Sequence, residues 1–202
     1  MGGVRRPVAA RNAPAARRAA GWLATRGVTP NRISQASVAF AALGGALFWL
    51  AGEGAPGALA LILAALCVQA RLACNLFDGM VAVEGARGAP DGPFWNEAPD
   101  RLSDLLLLAG AGAAAGAPAL GWAAGALAVA TAYLRELGRA EGLAPDFSGP
   151  MAKPQRMAAL TFAALLAAVW RDALLWGLVL IALGTALTAW RRSARLVRGL
   201  RA

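Results

Sequence analysis

Six apolar stretches recur along the chain near residues 31–51, 57–80, 98–116, 118–138, 155–170 and 173–190, each about long enough to cross 30 Å of hydrocarbon. Lipid offers no partner to a backbone N–H or C=O, so runs of this kind must satisfy their own hydrogen bonds and fold as helices. The expected fold is an all-α integral membrane protein with six transmembrane helices. With 58% hydrophobic and 15% charged residues among 202, the chain is too apolar for an ordinary soluble domain of its size. The last two runs are slightly short and enclose Arg171 and Asp172, a pattern that reads as a tight turn.

The cations set the orientation. The first 26 residues carry Arg5, Arg6, Arg11, Arg17, Arg18 and Arg26 with no apolar core between them, which excludes a cleavable signal. They read as a basic interfacial segment, 1–26, ahead of a membrane domain, 27–202. Residues 1–12 read as a tail, and Pro14 as the start of an amphipathic helix that holds Trp22 and Leu23 at headgroup level. Both termini and the 84–97 and 139–156 loops hold nearly all the Lys and Arg, whereas the opposite side has only Arg171. By the positive-inside rule both ends are cytoplasmic. The net charge of +9 is therefore a topology signal, and nucleic acid is not an expected partner. The chain has no His, which removes imidazole bases and His-ligated metals. Cys67 and Cys74, seven residues apart on one helix, lie about 10 Å apart, too far for a disulfide.

A charge at mid-helix in lipid costs about 2.5–3.5 kcal/mol, so clustered charges are informative. Arg71, Asn75 and Asp78 share one stripe of the second span, and Asn96, Asp100 and Asp104 share one stripe of the third. A Gly- and Pro-rich loop, 85–93, joins them. If the two helices are antiparallel neighbours, the stripes face each other near the cytoplasmic surface. Converging carboxylate and amide oxygens suit Mg²⁺, Mn²⁺ or Ca²⁺. Helix-end capping and pairing with Arg71, Arg87 and Arg101 accounts for the same spacing.

The segments Asn75-Leu-Phe-Asp78-Gly79-Met-Val-Ala82-Val83 and Gly92-Pro-Phe-Trp-Asn96-Glu-Ala-Pro-Asp100 resemble the signature of the CDP-alcohol phosphotransferases, D-x2-D-G-x2-A-R-x8-G-x3-D-x3-D. Every spacing is kept. Asp78, Gly79, Ala82, Gly92 and Asp100 match in identity, while Asn75 and Asn96 replace two Asp and Val83 replaces the Arg. The segments Gly27-Val-Thr29-Pro30-Asn31 and Gly149-Pro-Met-Ala-Lys153-Pro-Gln-Arg156 are also similar to the family's.

The resemblance implies an enzyme of phospholipid biosynthesis in a bacterial cytoplasmic membrane, with a cytoplasmic active site. It would transfer a phosphatidyl or related group from a CDP-linked lipid to a small hydroxyl acceptor and release CMP. It also implies a divalent metal, Mg²⁺ or Mn²⁺, among Asn75, Asp78, Asn96, Asp100 and Asp104, with Asp100 as general base or shared ligand. Gly79, Ala82 and Gly92 would line the CDP site, with Arg87 or Arg101 standing in for the missing Arg. Arg135, Lys153 and Arg156 would hold a phosphate of the acceptor or the CDP. A homodimer is expected from the family, and Gly44-Gly45 and Gly112-Ala-Ala-Ala-Gly116 permit close helix contacts between or within chains. The competing reading is a non-catalytic relative that binds CDP-lipid or metal as a membrane scaffold, in keeping with Asn75, Asn96 and Val83. The basic C-terminal residues read as headgroup contacts.

Overall fold

The computed structural model describes residues 13–54, 57–84 and 90–201, which form seven α-helices and no strand. The helix α1 (Pro14–Thr25) is the amphipathic segment, and α2 (Pro30–Gly52), α3 (Gly57–Glu84), α4 (Gly92–Ala114), α5 (Pro118–Ala140), α6 (Lys153–Ala167) and α7 (Ala173–Arg201) follow the six apolar runs. Among the described residues, α2, α3 and α7 are long and apolar enough to cross a membrane. The expected tail, residues 1–12, lies outside the described residues, as does Arg87.

Local chemistry explains the starts. Proline occupies the first or second position of α1, α2, α4, α5 and α6, where its missing N–H costs nothing. The Thr29 side chain caps α2 by accepting from the Arg32 N–H. The polar start of α4 is helical from Gly92, six residues before the apolar run expected at 98, so Asn96 is on a helix and not in a loop. Likewise α7 continues beyond 190 to Arg201. Between α6 and α7 the chain turns at Trp170, Arg171 and Asp172, as their spacing predicts.

The core is alanine-rich, with Phe48, Val68, Leu107, Leu108, Met157, Leu160, Leu178 and Ile181 as its fully buried large side chains. Small residues bring backbones together within this one chain: a Cβ on Gly110 would stand 2.4 Å from the Gly45 carbonyl oxygen, and one on Gly112 would stand 2.7 Å from Gly121 Cα. The Gly44-Gly45 and Gly112 positions are thus used inside the bundle. Both cysteines are free. The helix α1 rests on α3 through Ala20, Leu23 and Ala24 against Phe77, Met80 and Val81, with Trp22 exposed and the Arg26 guanidinium 4.9 Å from its ring centre.

Candidate functional site

The ends of α3 and α7 and the starts of α2, α4 and α6 carry a buried polar centre. Pro99 lies within α4 between Asn96 and Asp100, and its ring nitrogen gives no hydrogen bond to the Trp95 carbonyl. From α3, Asn75 and Asp78 lie three residues apart and so share one face. Ser34 of α2 donates to Asp78 Oδ2 at 3.0 Å, and Ser37 donates to Asn75 Oδ1 at 2.8 Å. Asn75 Nδ2 in turn donates to Asp100 Oδ1 on α4. Asn75 of α3 therefore meets Asp100 of α4.

Arg71, with no exposed side-chain surface, donates through Nη2 to the Asp100 carbonyl and Oδ1, both at 3.2 Å, and to Asp104 Oδ1 at 2.9 Å. Arg156 of α6 donates to Asp104 Oδ2 at 2.8 Å and to the Met151 carbonyl at 3.2 Å. Lys153 places its ammonium on Asp100 Oδ2. Five of the expected residues, Asn75, Asp100, Asp104, Lys153 and Arg156, are thus gathered in one network, while Asp78, one turn along α3 from Asn75, is bonded to Ser34. Asp104 is buried with one oxygen given to each of two guanidinium groups, which makes it the anchor of Arg71 and Arg156.

The remaining expected residues lie around this network. Asn96 is exposed on the first turns of α4. Glu97 accepts from both Arg101 and Arg135, so these two cations are tied to a carboxylate. Gly79 and Ala82 continue along α3, and a Cβ on Gly92 would meet nothing within 4 Å. Asp91 accepts from Asn31 Nδ2 at 3.2 Å and from Trp95 Nε1 at 2.8 Å, joining the Thr29-Pro30-Asn31 segment to the start of α4.

Between the ends of α5 and α7 lies a cavity of about 340 Å³ lined by Arg135, Asp146, Arg192 and Arg195 among others. Arg192 is one of the basic C-terminal residues expected at headgroups, yet it is only 6% exposed and donates to the Thr131 carbonyl at 2.7 Å and the Ser148 carbonyl at 3.0 Å. The extension of α7 explains this, because it lays Arg192 against α5 and the 141–152 loop. Arg195 pairs with Asp146 at 3.1 Å, and Arg135 stands 5.4 Å from the Phe147 ring centre. Partial burial pushes the Asp146 carboxyl up, but hydrogen bonds from Ser148 and the Arg195 and Arg192 charges outweigh it and hold the group below the usual carboxylate range.

Sequence reasoning missed Ser34, Ser37, Arg192 and Arg195 as members of these clusters. The two serines carry a faint signal, since they fall three residues apart at the polar start of an apolar run. Among the described residues, no three Asp, Glu or Cys side chains gather to hold a metal ion. Asp78 and Asp100 do offer carboxylate oxygens, the donor type preferred by a divalent cation such as Mg²⁺, which commonly takes one or two carboxylates and completes its shell with water and substrate phosphates.

No family model and no curated protein sequence matches the chain. Solved structures do. The phosphatidylinositol phosphate synthase of Mycobacterium tuberculosis with CDP-DAG bound superposes with a TM-score of 0.78 at 20% identity, over 91% of this chain and 94% of that one. This chain has that synthase's fold. The same enzyme in complex with manganese and citrate gives 0.77 at 20% identity over 90% and 88%, and its apo form gives 0.71 at 20% identity over 87% and 92%.

Proposed function

We propose that the chain is a membrane transferase that moves a phosphatidyl or related phospho-alcohol group from a CDP-alcohol to a hydroxyl acceptor. The observation that carries this is the convergence of Asn75, Asp78 and Asp100 with Lys153 in one centre, on a fold shared with a CDP-DAG-bound synthase. In this reading all six helices from α2 to α7 span the bilayer, and the end bearing the centre faces the cytoplasm, where the chain's cations lie.

The acceptor oxygen attacks the phosphorus that bears the lipid, a new P–O bond forms, and the P–O bond to CMP breaks with its electrons leaving on CMP. A bound divalent cation would neutralise phosphate charge and favour that departure. Asp78 and Asp100, with amide oxygens of Asn75 and Asn96 beside them, are the groups that would hold it. Asp100 is placed to take the acceptor proton, and Lys153 then keeps that carboxyl oriented. Gly79, Ala82 and Gly92 leave room for the nucleotide beside the backbone. Arg135 and Arg156 bring positive charge to the same end, and the Arg192–Arg195 cavity adjoins them as the space for the acceptor.

A second reading, a non-catalytic CDP-lipid-binding scaffold, is favoured by the ion pairs that already occupy Asp100. CMP release by the purified protein, with CDP-diacylglycerol, Mg²⁺ or Mn²⁺ and a panel of polyols and polyol phosphates, separates the two. Release that depends on one acceptor class supports the transferase, and CDP-lipid binding without release under any acceptor supports the scaffold.

A further inference from the structure

Lys153 and Arg156 reach Asp100 and Asp104 from the first turn of α6, so the place where that helix starts decides where both charges stand. The start has no cap of its own, because Ala152 precedes it and offers no side-chain hydrogen bond to the free N–H groups. What holds it comes from α7.

Thr188, with no exposed surface, accepts the Met151 N–H at 3.0 Å and donates its own hydroxyl to the Gly184 carbonyl at 2.8 Å. One turn further along the same face of α7, Arg192 donates to the Ser148 carbonyl at 3.0 Å. The backbone before α6 is thus tied to α7 at 148 and again at 151. Between the ties, Gly149 takes a φ of +133°, and a Cβ there would overlap the Thr188 methyl, so a side chain is opposed both by the backbone and by contact. On the α7 side, Gly184 leaves room for Met151, whose Cβ would stand 2.9 Å from a Cβ at 184. The Met151 carbonyl in turn accepts from Arg156 Nη1 at 3.2 Å. A line of contacts therefore runs from the Thr188 hydroxyl through Met151 to Arg156 and Asp104.

Resting on the transferase reading above, we propose that Thr188 is a positioning residue for the reaction: it clasps the 149–151 bend to α7 and so sets where Lys153 and Arg156 meet the two carboxylates. The hydroxyl carries this role. Valine keeps the shape and leaves the buried Met151 N–H without an acceptor, whereas serine keeps the acceptor and loses only the methyl beside Gly149.

Lys153 is the only lysine among the chain's 20 basic side chains. Its acylation by an amine-reactive ester, followed in the full chain in neutral detergent by mass spectrometry of the peptide that contains it, therefore reports its pairing without any catalysis. In Thr188→Val that rate should rise about tenfold, because an ammonium freed from a charge-assisted hydrogen bond is open to the reagent. The kcat for CMP release should fall about tenfold or more while KM for CDP-diacylglycerol changes by about twofold at most, as expected when a reacting group is slightly misplaced. Thr188→Ser should return both readouts to within about twofold of wild type, since the acceptor is kept. Gly184→Ala, which pushes Met151 off α7 and leaves the hydroxyl in place, should repeat the valine pattern and serves if Thr188→Val does not fold. A threonine that only stabilises would lower the melting temperature of the valine variant and leave acylation and kcat of the folded protein unchanged. That result, or a serine variant as impaired as the valine one, overturns the inference. Faster acylation in the valine and alanine variants, restored by serine, with no CMP release by the wild type under any acceptor would uphold the clasp and remove the transferase reading. Release by the wild type with unchanged acylation in both variants would do the reverse.

Discussion

Around Asp78, Asp100 and Lys153 three helices, α3, α4 and α6, bring full charges together, whereas at the opposite end the same helices close on alanine and glycine. There a cavity of about 540 Å³ is lined by Ala51, Leu61, Ala114 and Leu174, and its only charged residues, Arg171 and Asp172, are exposed. The apolar end demonstrates that this bundle can be closed without buried charge. Ion pairs in an apolar interior repay their desolvation poorly compared with hydrophobic packing of the same volume. The charges at the other end are therefore better explained by what they bind than by what they stabilise.

The largest contrast between the ends should come from Asp104→Leu. It leaves Arg71 and Arg156 buried without a counter-ion, and we expect a loss of about 3–5 kcal/mol, read as collapse of the thermal transition in detergent. Retained stability would mean that water or another group already compensates the two guanidinium groups. Next comes Asp78→Ala, expected to leave folding near normal while CMP release falls about a hundredfold or more, the scale on which one electrostatic group acts on a transition state. Equal release in the variant would move the chemistry away from this centre.

In the packed half, Gly110→Val forces a branched side chain onto the Gly45 backbone and should cost about 1–3 kcal/mol. Its per-molecule CMP release should stay normal, so a selective loss of activity would tie the two ends together. The smallest effect belongs to Asp146. Its carboxyl is held low in the folded chain, so the stability it adds is present above the usual carboxylate pKa and is lost as pH falls through the folded value. Asp146→Asn should flatten that acid limb in melts taken between about pH 7 and pH 3, and an unchanged limb would show that Arg195 does not hold the group in solution.

The same contrast divides what could be read from sequence. Apolar runs announce α2 to α7, and proline starts mark α2, α4, α5 and α6, because length, hydropathy and proline geometry act locally, and the spacing of Arg71, Asn75 and Asp78 reveals a shared face through helical periodicity alone. Ser34 and Ser37 stay hidden because their partners lie on another helix, and only the packing angle decides which polar residue meets which. Asp104 lies on the stripe that periodicity gives, but its partner Arg156, fifty-two residues away, is brought near by tertiary packing of α6 against α3. Arg192 and Arg195 look like ordinary positive-inside residues until the length of α7 is known.

Saturable binding of labelled CDP-diacylglycerol to the purified protein tests the central claim most directly, with Asp78→Ala altered at the charged end and Asp172→Ala at the apolar end. Saturable binding is expected for the wild type, with at least a tenfold weakening in Asp78→Ala and no change in Asp172→Ala. Unchanged affinity in Asp78→Ala, or no saturable binding by the wild type, would contradict it.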